Sequence, residues 1–210
     1  MKRLAIIGSG DLGQQIAYHA ATDGHYEIAG FFDDFKNAGE KVGEHVILGK
    51  SGDIATLFSQ GDFDCLMIGI GYKHFEKRKE CFNTWKGIIP FGKVLHTASY
   101  VDPSCTIGEG VFILPGVVLD QQVVIGDNVL INVGSCIAHD TVIGAHSFLS
   151  PRVAVAGFVE IGSCCNIGIN STIIDNLKIV DMVQTGGGTT VINNLTQAGL
   201  YVGTPARFVR

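Results

Sequence analysis

The sequence lacks an excess of basic residues, a long apolar run and paired cysteine motifs. Its 15 lysine and arginine residues oppose 20 aspartate and glutamate residues, giving a net charge of −5, so no nucleic-acid partner is expected. No apolar run reaches the ~18 residues that a membrane span needs, and no signal peptide precedes Leu4. The six cysteines show no C-x-x-C spacing. Together these absences predict a cytoplasmic, reduced protein without a membrane span.

A six-residue repeat dominates the rest of the chain. Every sixth residue from Val101 to Ile179 is Val, Ile or Leu, and the residue four positions later is usually small or β-branched. This period is neither that of an amphipathic helix nor that of a simple strand, and it is typical of a parallel β-helix. Two inward side chains per hexad fit short strands whose side chains alternate between core and solvent.

The repeat also has a longer period, which sets the number of coils. Successive glycines at Gly108, Gly126, Gly144 and Gly162 are separated by three hexads each. Three hexads therefore form one coil, and residues 101–190 give fifteen hexads, or five coils. The phase weakens at Thr185 and across 186–188, which predicts a loop or an irregular last coil. The stacked coils form a prism, and the tail, 199–207, is expected to fold back on it.

The first 80 residues have a different pattern, in which strands alternate with helices. The pattern predicts strands at 4–7, 28–32 and 65–70, and helices at 14–22 and 54–58. Such alternation is typical of a parallel, Rossmann-like sheet. We therefore expect a Rossmann-like nucleotide-sugar-binding domain at 1–83, a linker at 84–100, and a β-helix domain with a C-terminal tail at 101–210.

A glycine-rich loop joins the first predicted strand to the first predicted helix. It consists of Gly8, Ser9, Gly10, Asp11, Leu12 and Gly13. Glycines at such a place let a phosphate approach backbone amides at a helix N-terminus. The second strand ends at Asp33 and Asp34, about twenty residues later, where a carboxylate suits a ribose hydroxyl. Eighty residues form only about half of a dinucleotide fold, so NAD is not expected.

His139 is the candidate catalytic residue of the repeat. It lies two residues after Ile137, at a predicted corner, so its side chain is expected to point outwards. Three hexads further along, the equivalent corner carries Gly157, which leaves space beside the imidazole. Imidazole titrates near neutral pH and suits a base that takes a proton from an attacking amine. Asp140 can orient the ring if the corner turns it towards His139, and the alternative is a solvated His-Asp corner.

The two-part layout and several local strings resemble those of bacterial nucleotide-sugar acyltransferases. These are left-handed β-helix N-acetyltransferases that act on UDP-amino-sugars, together with related sialic-acid O-acetyltransferases. The strings that carry the resemblance lie at 8–13, 32–34, 69–71, 131–132, 139–144, 156–157, 168–171, 186–188 and 202–207. The resemblance covers nearly the whole chain. It implies an α/β N-terminal Rossmann-like domain followed by an all-β left-handed parallel β-helix of hexapeptide repeats.

The resemblance also implies an activity and its residues. The expected enzyme is an acetyl-CoA-dependent N-acetyltransferase that acts on a nucleotide-linked 4-amino-4,6-dideoxy-sugar for surface glycan biosynthesis, as a homotrimer with its sites between prisms. His139 is then the general base, and Asp140 raises its basicity. The implied nucleotide-sugar contacts are the loop at 8–13, Asp33, Asp34, Lys36, Gly71, Tyr72 and Asn132. The implied acetyl-CoA contacts are Phe148, Gly157, Ile169 and Gly187.

The sequence departs from the family pattern at several positions. Phe148 stands where the family often has a second histidine, and His146, two residues earlier, is expected at the surface. The string at 71–73 replaces a Gly-Asn-Asn that is common in the UDP-sugar enzymes, and Arg78 lies later than the family arginine. UDP, dTDP and GDP therefore all remain open as the nucleotide. The histidine spacing does not suit a metal site, so no metal is expected.

Three alternative functions remain open at the level of sequence. The same base would serve an O-acetyltransferase of sialic acid or another sugar hydroxyl. A relative that transfers a formyl group from formyl-folate would not need a coenzyme A groove. A non-catalytic nucleotide-sugar-binding scaffold would keep the prism for oligomerisation, although an intact His139-Asp140 pair argues against it.

Overall fold

The computed structural model describes all 210 residues, which fold as two compact units, Met1–Val94 and Leu95–Arg210. The junction of the two units lies inside the segment that the sequence predicts to be a linker, 84–100. None of the helices combines the length and the apolar composition that crossing a membrane would require.

The first unit contains a five-stranded sheet and three α-helices. Its strands are β1 (Arg3–Ile7), β2 (Glu27–Phe32), β3 (Lys41–Val42), β4 (His45–Gly49) and β5 (Cys65–Ile68). Its helices are α1 (Asp11–Thr22), α2 (Ile54–Gln60) and α3 (Phe75–Trp85), and short 3₁₀ turns at Ser51–Asp53 and Tyr72–His74 precede α2 and α3. The sheet order is β3-β4-β2-β1-β5, in which only β3 is antiparallel to its neighbour.

The predicted strands and helices of this unit are present with small shifts at their ends. The β3–β4 hairpin and helix α3 were not predicted. The hairpin brings β4 parallel to β2 without an intervening helix, so the alternation of strands and helices does not reveal it. Helix α3 buries only Arg78 and Phe82, which leaves too little apolar periodicity to mark a helix.

Three glycines allow close backbone approach where β1, α1 and β5 meet. A Cβ on Gly13 would lie 2.0 Å from the carbonyl oxygen of Gly8, and one on Gly69 would lie 2.6 Å from the Cα of Gly13. A side chain at either position is therefore excluded. These contacts keep the carboxyl ends of the parallel strands together, which is where ligands bind in sheets of this kind.

The second unit is a three-faced parallel β-helix of very short strands. In chain order, with β6 at the junction, they are β6 (Val94–Leu95), β7 (Tyr100–Val101), β8 (Thr106–Ile107), β9 (Phe112–Ile113), β10 (Val118–Leu119), β11 (Val124–Ile125), β12 (Leu130–Ile131), β13 (Cys136–Ile137), β14 (Val142–Ile143), β15 (Phe148–Leu149), β16 (Ala154–Val155), β17 (Glu160–Ile161), β18 (Asn166–Ile167), β19 (Thr172–Ile173), β20 (Lys178–Ile179), β21 (Val183–Thr185), β22 (Thr190–Val191), β23 (Gly199–Val202) and β24 (Arg207–Phe208).

The strands stack into three faces because each pairs in parallel with the strand three hexads further along the chain. The first face contains β6, β9, β12, β15, β18 and β21, the second β7, β10, β13, β16, β19 and β22, and the third β8, β11, β14, β17 and β20. At the C-terminus β23 pairs in parallel with β21, and β24 returns antiparallel to β23. The tail thus adds to the first face.

The corners between faces share one backbone conformation. Every sixth residue from Gly110 to Gly188 has a positive φ, between 54° and 72°. A residue with a side chain adopts this conformation at a cost of about 1–2 kcal/mol, which favours glycine, asparagine and aspartate there. Phe158 and Met182 adopt it too, because the stacking of coils sets the corner geometry.

The inward positions form one apolar column along the prism. Ile131 and Ile143 are fully buried, and the same holds along the column of aliphatic residues that the hexad pattern marks. Burial of such a continuous column supplies most of the driving force for folding, and the stacked coils satisfy each other's backbone hydrogen bonds.

The prediction of a loop near Thr185 is wrong, but the last coil is irregular beyond Val191, where Leu195 forms only an isolated bridge to Ile179. The strands Val183–Thr185 and Thr190–Val191 continue the first and second faces in register. Thr185 occupies the inward position with its Oγ1 accepting a hydrogen bond from the Gly168 N–H at 2.8 Å. A polar side chain that is hydrogen-bonded inside the prism replaces the aliphatic residue without breaking the coil.

Candidate active site

His139 and Asp140 form a close pair at a corner between the second and third faces. Nδ1 of His139 lies 2.9 Å from Oδ2 of Asp140, and both side chains are about half exposed. Asp140 has a φ of 56°, and this turn brings two adjacent side chains together that an extended chain would place on opposite sides. When Nδ1–H is donated to the carboxylate, Nε2 carries the lone pair that can accept a proton.

Gly157 lies at the same corner, one coil further along. A Cβ at this position would lie 2.8 Å from Cε1 and 2.9 Å from Nε2 of His139. The imidazole therefore packs against the backbone of Gly157. Any residue with a side chain at position 157 would occupy this space. Phe158 flanks the imidazole as well, with ring centroids 5.1 Å apart. Residues of the next coil thus contact the His139 imidazole that Asp140 pairs with.

A groove runs along the second face beside this corner. Its volume is about 480 Å³, and most of its lining is small or apolar. Ala138 and Ala156, the residues that precede His139 and Gly157, contribute to the lining, and Asp120 and Asp175 are its charged residues. Small side chains next to the imidazole leave room for a long, narrow ligand.

Ile169 and Gly187 lie together at a different corner, between the first and second faces. A Cβ on Gly187 would lie 3.1 Å from Cγ2 of Ile169, and the Gly188 N–H donates to the Ile169 carbonyl at 2.7 Å. Asn132, which the resemblance assigns to the nucleotide-sugar, lies at the equivalent corner of an earlier coil. Its Oδ1 accepts a hydrogen bond from the Val133 N–H. These residues and His139 belong to different corners of the prism.

His146 does not lie where the sequence suggests. His146 is only 6% exposed, so its prediction as a surface residue is wrong. Its Nδ1 lies 3.1 Å from Nδ2 of Asn128, a fully buried residue one coil away. The hexad pattern assigns corner residues to solvent and does not reveal such a pair. Phe148 points outward from β15 on the first face but is 9% exposed, and it is not at the corner of His139.

The first unit carries a pocket at the carboxyl ends of its parallel strands. It measures about 510 Å³ and is lined by Ile7, Gly8, Phe32, Asp33, Asp34, Phe35, Ser51, Ile70, His74, Lys77 and Cys81. A pocket at this place in a parallel sheet suits a nucleotide. Of the predicted nucleotide contacts, Gly8, Asp33 and Asp34 come together here.

Asp33 fastens the glycine-rich loop to the end of β2. Its Oδ2 accepts hydrogen bonds from the N–H and the hydroxyl of Ser9, and its Oδ1 accepts one from the Phe35 N–H at 3.0 Å. Burial raises the pKa of Asp33, but these hydrogen bonds outweigh it and hold the pKa below its usual value. The Ser9 amide, expected to be available to a phosphate, is therefore bound to a carboxylate instead.

Asp34 fastens the loop before α2 in the same way. Its Oδ1 accepts a hydrogen bond from the Ser51 N–H at 2.8 Å, and its Oδ2 accepts one from the Ser51 hydroxyl at 2.9 Å. These hydrogen bonds lower the pKa of Asp34, so it is ionised at neutral pH. Both aspartates shape the pocket, and each keeps further lone pairs for a ligand.

Sequence reasoning gives no role at this pocket to Phe35, Ser51, His74, Lys77 and Cys81. Phe35 is 97% exposed at the pocket. His74 and Lys77 come after β5, and parallel strands bring the segments at their carboxyl ends to one edge of the sheet, beside Asp33. The sequence positions of His74 and Lys77 after β5 could therefore have placed them at the pocket, but only if helix α3 had been predicted.

The other predicted nucleotide contacts do not line the pocket. Ser9 is buried under Asp33, Gly71 and Tyr72 lie at the turn before α3, and Lys36 acts on Asp33 through its charge, lowering its pKa. The rest of the loop begins helix α1, at Gly10, Asp11, Leu12 and Gly13. Arg78 has a structural role, since its Nη1 donates to the carbonyls of Ile68 and Ile70 at 3.0 and 2.9 Å.

The six cysteines are free thiols. Burial raises the pKa of Cys65 to about 11 and that of Cys165 to about 12, so both remain protonated at neutral pH. The structure contains no group of three or more histidine, cysteine, aspartate or glutamate side chains arranged to hold a metal ion.

Two protein-family models match the chain. Residues 3–85 match the PglD N-terminal domain, which covers the sheet and helices of the first unit. Residues 104–139 match the bacterial transferase hexapeptide (six repeats), which covers the early coils of the prism up to His139.

Solved structures are similar over the whole chain. The acetyltransferase domain of PglB from Neisseria gonorrhoeae FA1090 is 24% identical, with 100% of both chains covered and a TM-score of 0.90. PerB from Caulobacter crescentus, solved in complex with CoA and GDP-perosamine, is 26% identical, with 100% of this chain and 98% of that chain covered and a TM-score of 0.91. WeeI from Acinetobacter baumannii AYE is 20% identical, with full coverage of both chains and a TM-score of 0.86.

These matches confirm the predicted fold class, a Rossmann-like domain followed by a left-handed parallel β-helix. The two family models lie in the order that the sequence resemblance implies, and the PglB and perosamine structures are those of acetyltransferases. The first unit therefore matches the PglD N-terminal domain, the second matches the bacterial transferase hexapeptide repeat, and the whole chain is similar to solved structures of nucleotide-sugar N-acetyltransferases.

Proposed function

We propose that this protein is an acetyl-CoA-dependent N-acetyltransferase that acetylates the amino group of a nucleotide-linked 4-amino-4,6-dideoxy-sugar, a cytoplasmic step towards a surface glycan. The observation that carries the proposal is the His139-Asp140 pair, which fixes one imidazole tautomer and leaves Nε2 for the acceptor amine. The structure of PerB with CoA and GDP-perosamine supports this class of donor and acceptor.

The acetyl group moves directly from the thioester to the amine. Nε2 of His139 accepts a proton as the amine nitrogen attacks the thioester carbonyl, and a C–N bond forms. Backbone amides or water stabilise the oxyanion of the tetrahedral intermediate. The C–S bond then breaks, and the departing thiolate takes the proton from the imidazolium, which gives the amide and free coenzyme A. Asp140 holds Nδ1–H and stabilises the imidazolium.

We assign the nucleotide to the pocket of the first unit. Phe35 offers an exposed ring on which a base can stack, and such stacking contributes about 1–3 kcal/mol per base. Lys77 and His74 offer donors to ring or phosphate oxygens, while Asp34 offers acceptors to hydroxyl or ring N–H groups. The sugar then carries its amine out of this pocket.

We assign acetyl-CoA to the groove of the second face and to the corner of Ile169 and Gly187. Because that corner and the corner of His139 lie at opposite edges of the second face, we infer that the two sets of residues in one site come from neighbouring subunits. A homotrimer with three sites provides this, since each site then combines His139 of one subunit with Ile169 and Gly187 of the next.

Thiol release from acetyl-CoA tests the proposal. The acceptors are UDP-, dTDP- and GDP-linked 4-amino-sugars and free sialic acid, assayed with the wild type, His139→Asn and, as a control in the first unit, His45→Asn. We expect turnover with an amino-sugar, unchanged in His45→Asn and reduced at least about a hundredfold in His139→Asn. Turnover with sialic acid alone would make the enzyme an O-acetyltransferase. A loss of only a few-fold in His139→Asn would remove His139 as the base.

A further inference from the structure

Phe158 makes an aromatic contact with the candidate base. Its ring and that of His139 are nearly perpendicular, at 87°, with centroids 5.1 Å apart. Phe158 follows Asp140 by three hexads, so the two occupy the same corner position in successive coils, and the Phe158 N–H donates to the His139 carbonyl at 3.2 Å. The stacking of coils therefore holds Phe158 beside the imidazole.

A large aromatic residue is an unusual choice for this corner position. Phe158 has a φ of 57°, in the region where phenylalanine is disfavoured, and its side chain is 54% exposed. Burial in the core therefore does not account for the ring. What distinguishes Phe158 from a smaller or polar residue at this corner is its ring contact with His139.

The imidazole needs more than its hydrogen bond to be held in place. Asp140 fixes Nδ1 but is itself 43% exposed, so the two side chains could move together. Gly157 supplies backbone beneath the ring and no side chain beside it. A ring packed edge to face against His139 adds a further contact and disfavours its other rotamers.

We propose that Phe158 is a positioning residue, which holds the His139 imidazole so that Nε2 faces the acceptor amine. This inference rests on the proposed function only for the role of His139 as the base. Phe158 has no group that exchanges a proton, so its proposed role is to position His139. Its effect is to raise the fraction of time that the base spends in the productive orientation.

The kinetic test compares Phe158→Leu with Phe158→Tyr. Leucine keeps the apolar character but removes the ring, so we expect kcat to fall about fivefold while KM for both substrates changes less than about twofold. Tyrosine keeps the ring and should restore kcat. Met182→Leu is the matched control, because Met182 has a φ of 61° and is 55% exposed. Wild-type kcat in Phe158→Leu, or a loss in KM alone, would overturn the proposal.

A spectroscopic test separates this inference from the proposed function. With ¹⁵N-labelled histidine, His139 in the wild type should give distinct Nδ1 and Nε2 signals of one tautomer, whereas Phe158→Leu should bring the two signals closer together. Identical His139 spectra in both proteins would overturn the positioning role. Absence of acetyl transfer in the wild type would count against the proposed function alone, since the spectra would still decide the role of Phe158.

Discussion

At the scale of single residues, the site depends on the absence of a side chain at Gly157. The His139 imidazole rests where a side chain at Gly157 would be, while Asp140 holds it from the other side. A Cβ on Gly157 would meet the end of the His139 side chain and not backbone. The base can therefore be pushed aside without disturbing the prism.

Gly157→Ala should consequently lower activity while sparing stability. We expect kcat to fall by about tenfold to a hundredfold, because a displaced base no longer reaches the acceptor, and the melting temperature to change by less than about 2 °C. Thiol release and thermal unfolding measure the two effects. Wild-type kcat in this variant would show that the observed position of His139 is not the working one.

At the scale of the structural element, the corner glycines have a different role. A Cβ on Gly144 would lie 2.5 Å from the carbonyl carbon of Gly162, one coil further along. Since that atom belongs to the backbone, no side-chain rotation relieves the clash. Two coils would have to move apart, and their hydrogen bonds would lengthen.

Gly144→Ala should therefore show the opposite pattern to Gly157→Ala. We expect a loss of about 1–3 kcal/mol in stability, seen as a melting temperature lower by several degrees, with kcat of the folded protein unchanged. The two alanine variants serve as controls for each other, because both add one methyl group at a prism corner. Equal melting temperatures would contradict the backbone clash at Gly144.

At the scale of the whole molecule, the separation of two corners within one chain leads to the proposed trimer. His139 lies between the second and third faces, whereas Ile169 and Gly187 lie between the first and second. The proposed active site uses both corners and takes them from two subunits. Inactive subunits with defects at different corners should then complement each other.

Mixing His139→Asn with Gly187→Glu tests this directly. Each variant alone should be inactive, one for lack of a base and the other because a bulky carboxylate obstructs the donor. Co-expressed at equal levels, they should form mixed trimers with one intact site in three, so that about a quarter of all sites are intact once the homotrimers are included. Activity that stays at the level of the single variants in mixed trimers would place both corners of a site on one subunit. A fully active monomer by light scattering would exclude the trimer altogether.

Much of the fold could be predicted because the prism is built from a local repeat. A period of six marks the inward residues, and stacking at a spacing of three hexads makes neighbours in space readable from the sequence. The approach of Gly157 to His139 follows from that rule. In the first unit, the alternation of strands and helices likewise predicts a parallel sheet, although it misses the β3–β4 hairpin and α3.

The sequence by itself thus determined the repeat, the coils, the core column and the place of the candidate base. Only the tertiary structure decided that Asp33 binds Ser9, that His146 is buried against Asn128, and that His74 and Lys77 reach the pocket. The physical reason is the same in each case. These contacts depend on the directions of particular side chains and on segments that have no repeat. The six-residue period predicts neither of them.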